Sequence, residues 1–155
     1  MPRSSSLRRP LAIAALAAAA VSLTPLAATA HSYKLGDIAV GHIWAPPATP
    51  SDGEVPIYAP ILNGTDHEVT LTGASTDIAD EVRFQAVKDD GEVETFRSIA
   101  LPRGRPTSLA AWSTHLSLDG LHKPLQTGDA FPLTLDFGPD GSLDVTVEVE
   151  SQAGH

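Results

Sequence analysis

From residue 131 to 149 the chain alternates apolar and polar side chains in two runs. Phe131, Leu133, Leu135 and Phe137 are separated by Pro132, Thr134 and Asp136, and Leu143, Val145, Val147 and Val149 by Asp144, Thr146 and Glu148. A period of two puts every apolar group on one face of an extended strand, whereas a helix would scatter the same residues around its circumference. The turn Gly138-Pro139-Asp140-Gly141 separates the two runs. Upstream the same pattern recurs in shorter pieces. Val69 and Leu71 alternate with polar neighbours; Val82, Phe84 and Ala86 face one way and Arg83 and Gln85 the other; Leu116 and Leu118 lie opposite His115 and Ser117.

Between these pieces stand turn residues. The stretch 45–53 is a Pro-rich loop, Asp89-Asp90-Gly91 turns the chain, and 121–129 is a turn-rich crossover. Pro56 and Pro60 break the segment Val55 to Leu62 or place it at a sheet edge, because proline donates no ladder hydrogen bond. Asn63-Gly64-Thr65-Asp66 reads as a hairpin-type connection into His67 to Leu71. Further strands are expected over Glu92 to Ile99 and Thr107 to Trp112. No segment shows sustained helical periodicity. About seven to nine short strands at this spacing predict an all-β domain, an antiparallel β-sandwich with Greek-key connections.

Residues 1–30 read as an address. Arg3, Arg8 and Arg9 form a basic start, Leu11 to Leu23 an apolar Ala-rich run, and Ala28-Thr29-Ala30 a cleavage site, so a secretory signal is expected to be removed after Ala30. The run is broken by Ser22, Thr24 and Pro25, short of the roughly 20 apolar residues of a membrane span. The mature chain, 31–155, is then one exported domain, not embedded in the membrane, with His31 at its N-terminus.

Sulfur is nearly absent. The chain has no cysteine and its one methionine is Met1, so disulfides, thiolate metal sites and thiol redox chemistry are excluded together. The expected mature chain keeps seven Lys and Arg against nineteen Asp and Glu, a net charge of −12. That balance opposes nucleic acid and anionic lipid, which demand clustered basic groups. It suits solubility or a partner that is a cation. There is no phosphate loop, His-Glu-x-x-His helix or Gly-x-Ser-x-Gly element, and no enzyme activity is expected.

Several fragments, taken in order, resemble one family. Tyr33-Lys34-x-Gly36-Asp37-Ile38, Gly41-His42-x-Trp44-Ala45, Gly73-Ala74-Ser75, His115-Leu116-x-Leu118-x-Gly120-Leu121-x-x-Pro124-Leu125 and Gly128-Asp129-x-x-Pro132-Leu133-Thr134-Leu135 are similar to the PCu(A)C periplasmic copper chaperones. The resemblance implies a cupredoxin-like sandwich in the periplasm, with copper as cargo and a copper acceptor such as a cytochrome oxidase assembly protein as partner. It also implies a Cu(I) site of two histidines and two methionines, whose positions fall here at Gln85, about Phe96, His115 and Ser117. Only His115 keeps a ligand. Cu(I) prefers sulfur, so this cluster is expected to hold it weakly, and Cu(II) on histidine is the more plausible state.

Either the ancestral function is lost or metal is bound by harder ligands. His31 offers an α-amine with an ordinary pKa near 8 and an imidazole, a chelate that a second histidine would complete. His115 and His31 are therefore the candidate metal ligands. His42 is expected to hydrogen-bond at a strand end beside a core Trp44, and His67, His122 and His155 to be solvated. Two alternatives remain beside the copper carrier: a non-metal envelope interaction module on the same scaffold, and a copper oxidase with an N-terminal histidine brace.

Overall fold

The computed structural model describes residues 31–151. The signal reading of 1–30 and the tail residue His155 lie outside them. Fourteen strands form: β1 (Tyr33–Leu35), β2 (Ile38–Val40), β3 (Trp44–Ala45), β4 (Val55–Ile57), β5 (Ala59–Asn63), β6 (Val69–Leu71), β7 (Gly73–Ser75), β8 (Ala79–Val87), β9 (Val93–Phe96), β10 (Ile99–Leu101), β11 (Pro106–Leu109), β12 (His115–Leu121), β13 (Ala130–Asp136) and β14 (Ser142–Val149). The only helical pieces among the described residues are single 3₁₀ turns at Pro50–Asp52 and Gly138–Asp140. None of the described residues forms a helix long and apolar enough to cross a membrane.

The strands pair as β1-β2-β5-β11, β10-β6, β4-β12-β8-β9 and β3-β14-β13-β7. Neighbours far apart in sequence, such as β4 with β12 and β5 with β11, are the Greek-key connections of a cupredoxin-like sandwich. All pairs are antiparallel except β3 with β14. Inward residues of every sheet meet in one core: Ile38 and Val40, Ile57 and Ile61, Leu71 and Leu101, Leu116 and Leu118, Leu133 and Leu135, Val145 and Val147 are all buried. Alternation in sequence has become alternation in burial, as a half-buried strand requires.

Three hairpins form where turn residues stand, the first at Gly36 (φ 56°) between β1 and β2. Gly91 (φ 83°) lies in the β8–β9 turn, and Gly138 (φ 61°) and Gly141 (φ 110°) in the β13–β14 turn. Three expectations are corrected. Asn63-Gly64 does not close a hairpin, since β5 pairs with β2 and β11 while β6 pairs with β10. Neither residue has the positive φ of a tight hairpin turn. Instead, the buried Asn63 side chain donates to the carbonyls of His67 (2.9 Å) and Leu101 (2.8 Å) and accepts from Thr65 N (3.0 Å) and Oγ1 (2.7 Å). A side chain at Gly64 would press on the Asp37 carbonyl, to which Gly64 N donates.

The strand expected over Glu92 to Ile99 is two strands in different sheets. The strand expected to reach Trp112 ends at Leu109, and Trp112 is 85% exposed on the following loop.

Candidate metal centre

Pairing in the central sheet places His115 directly opposite Gln85 and Ser117 opposite Arg83. On the face away from the core, His115, Ser117 and Gln85 are all buried. With Glu54, Pro56, Tyr58, Val87, Val93 and Ala111 they line a cavity of about 250 Å³. His115 Nδ1 lies 3.2 Å from the Ser113 carbonyl. A carbonyl only accepts, so this nitrogen carries the proton and the lone pair sits on Nε2. The His115 ring meets Tyr58 edge-on with centroids 5.9 Å apart, and Tyr58 meets Trp44 at 5.0 Å. Burial raises the Tyr58 pKa, keeping its phenol protonated.

Two polar residues of this cavity, Gln85 and Glu54, are bonded to each other. Gln85 Nε2 donates to Glu54 Oε1 at 2.9 Å, and Arg83 reaches Glu54 (3.2 Å), Glu81 (3.0 Å) and Asp119 (2.8 Å). The Glu81 hydrogen bond, then Asp119, raises the Arg83 pKa further above its ordinary range. Phe96 does not belong here. It pairs with Phe84 and packs against the core, whereas Val93, opposite Val87, lines the cavity. The eight residues that line this cavity with His115 thus supply no soft ligand.

A second group lies at the edge where the chain leaves β2. Gly41 N donates to Pro60 O at 2.9 Å, and a Cβ on Gly41 would stand 2.6 Å from the Pro60 ring, so only glycine lets the backbone press this close. His42 follows, and β3 then runs parallel to β14, with Glu148 opposite Trp44. Glu148 N donates to Ile43 O (3.1 Å) and Glu150 N to Ala45 O (3.0 Å). Glu148 and Glu150 therefore share one side of the last strand, with Val149 buried between them.

His42 Nε2 lies 2.9 Å from Glu150 Oε1 and Nδ1 3.8 Å from Glu148 Oε2, all three side chains being half-buried. Among the described residues, these alone form a group of three His, Asp or Glu whose ligand atoms lie within 4.8 Å of one another. One nitrogen and two carboxylates suit a borderline or hard divalent cation, Cu(II) included, and not Cu(I). His42 stands against these carboxylates where the chain leaves β2, and Trp44, expected in the core, is only half-buried beside it. What sequence reasoning missed is the partners. Glu148 and Glu150 look like the solvated face of a strand, and their spacing of two was the only signal available.

Two further histidines are held by carboxylates. His67 reaches Asp66 (3.0 Å) and Asp140 (2.7 Å), and His122 reaches Asp80 (2.7 Å) and the Asp77 carbonyl (3.0 Å). The hydrogen bonds to Asp66 and to Asp80, respectively, raise the two pKa values. His31, exposed, precedes β1, whose sheet is not the one that carries His115.

The fold defines the class. It matches the copper-bound PCuAC domain from PmoF2 with a TM-score of 0.70 at 23% identity, covering 78% of this chain and 98% of that one. The apo PCuAC domain from PmoF1 matches at 0.69 and 20%, covering 78% and 99%. The solution structure of Cu(I)-DR1885 from Deinococcus radiodurans matches at 0.57 and 23%, covering 81% and 83%. At these identities the likeness is one of fold, that of a PCuAC β-sandwich. The chain belongs to the LpqE-like family, described as putative lipoprotein LpqE-like, whose pattern spans residues 38–149. No curated protein matches it significantly.

Proposed function

We propose that this chain is an exported, periplasmic copper carrier that binds Cu(II) through nitrogen and oxygen and has given up the Cu(I) site. The observation that carries the proposal is the convergence of His42, Glu148 and Glu150 at one edge of a PCuAC sandwich whose sulfur positions hold none. The β1–β2 register supports it. Tyr33 stands opposite Val40, and the same register carried outward by two residues on each arm would set His31 across from His42. Cleavage after Ala30 would free the His31 α-amine, so that amine, its imidazole and the His42 ring form a three-nitrogen chelate flanked by carboxylates.

His115 is then a weaker nitrogen site in its own cavity, with Nε2 as the ligand atom and Glu54 nearby. Copper held on nitrogen and oxygen loses its grip when reduced, which suits handover to a periplasmic acceptor, such as a protein of cytochrome oxidase assembly.

The test is a Cu(II) titration of the chain beginning at His31. One equivalent should bind at micromolar concentration, and acetylating the α-amine or replacing His42 by Ala should weaken it at least tenfold. His115→Ala should leave that first equivalent intact. No Cu(II) uptake at all would overturn the proposal.

One feature favours a second reading, an envelope interaction module. The exposed Trp112 stands over a groove of about 580 Å³ lined by Trp44, Tyr58, Pro60 and Leu109. Apolar exposure beside a cavity marks protein contact surfaces. A chain that binds no metal yet loses a cell-envelope partner on Trp112→Ala would establish this reading instead.

A further inference from the structure

Glu148 and Glu150 approach the two nitrogens of His42 at different distances, and the difference separates their roles. We infer that Glu148 is an oxygen ligand sharing the ion with His42 Nδ1, while Glu150 is a positioning residue that takes the Nε2 proton. This rests on the reading of His42 as a copper ligand and divides the labour within that site.

Glu150 Oε1 at 2.9 Å from Nε2 is at the ordinary length of an N–H···O hydrogen bond. A proton on Nε2, shared with Glu150, would leave the Nδ1 lone pair to face Glu148. Oε2 of Glu148 stands 3.8 Å from Nδ1, longer than a good hydrogen bond. Metal bonds to nitrogen and oxygen of about 2.0–2.2 Å let one ion span up to roughly 4 Å between two ligand atoms. The 3.8 Å gap is too long for a hydrogen bond and within the span of one ion, whereas the 2.9 Å pair already stands at hydrogen-bond length.

A ligating imidazole that gives its other N–H to a carboxylate is fixed in tautomer and orientation, and loss of such a partner weakens metal affinity about 10–100-fold. The backbone supports the assignment. Ladder bonds from Glu148 N to Ile43 O and from Glu150 N to Ala45 O hold both carboxylates to the segment carrying His42.

The experiment is Cu(II) titration with electron paramagnetic resonance on the mature chain and four variants. Glu148→Gln should weaken Cu(II) at least tenfold and alter the copper spectrum, because an anionic oxygen is lost from the ion. Glu150→Leu should weaken binding about tenfold while the number of oxygen ligands stays the same, and Glu150→Gln, whose amide oxygen still accepts from Nε2, should restore it. Wild-type affinity and spectrum in Glu148→Gln would overturn the inference, as would a failure of Glu150→Gln to rescue. His42→Ala separates the two levels. If it binds copper with unchanged affinity and spectrum, the parent reading fails; if it loses copper while Glu148→Gln keeps it, only the division of labour fails.

Discussion

Gln85 stands directly across the β8–β12 ladder from His115 and gives its amide hydrogen to Glu54 at 2.9 Å. A residue in that position could share an ion with His115, but a bonded amide does not. Ser117 and Val93 complete the surroundings with a hydroxyl and a methyl surface.

Cu(I) should therefore not be retained. With copper reduced by ascorbate, a colour-forming Cu(I) chelator is expected to remove all metal from the protein, while Cu(II) added without reductant stays bound. Absorbance of the chelate measures both, and reductant-stable copper on the chain would contradict the ligand argument.

His67 and His122 make stability depend on pH in a defined direction. Both pKa values lie above the ordinary 6.5, through the Asp66 and Asp80 hydrogen bonds. A raised folded-state pKa means that the native state binds the proton more tightly than the unfolded chain. The contribution is fully present below pH 6.5 and is lost as pH rises through the folded value. Melting temperature of metal-free protein followed from pH 6 to pH 9 should fall more steeply in the native chain than in His67→Gln/His122→Gln.

Asn63 should matter more than its size suggests. Replacement by Ala removes the buried bond to the Leu101 carbonyl, worth about 1–3 kcal/mol if that group is left unsatisfied, while the His67 carbonyl keeps its bond from Thr65 Oγ1. Urea unfolding of Asn63→Ala should show a lower midpoint with an unchanged slope, whereas Asn63→Asp, which keeps the acceptor for Thr65, should recover only part of the loss.

Trp44 lies two residues past His42 and provides an optical report of the edge site. In a Trp112→Phe chain, Cu(II) should quench the remaining tryptophan emission up to one equivalent. Trp112 is 85% exposed, so that substitution should change stability by no more than about 0.5 kcal/mol.

The strands were legible because period two is a local property. Phe131 to Phe137 and Leu143 to Val149 appear in the structure nearly as they read. Local pattern fails where a partner decides. Asn63-Gly64 looks like a hairpin by itself and becomes a bracket for Leu101 only when β10 arrives. Phe96 was reached by counting along the chain, and a β8–β9 register that sets it against Phe84 turned it to the core side and Val93 to the cavity. The edge cluster escaped for the same reason: His42 and Glu148 meet only through a parallel pairing between early and late segments, a contact with no local trace. His115 was visible because its own strand carries the motif.

The parallel pairing of β3 with β14 means that the same backbone ladder joins the opening of the domain to its close. An ion gripped by His42 and Glu148 would act there as a clasp on a ring containing almost the whole sandwich. Loading would then fasten the molecule as well as fill it, and the empty carrier would be the one that proteases cut first.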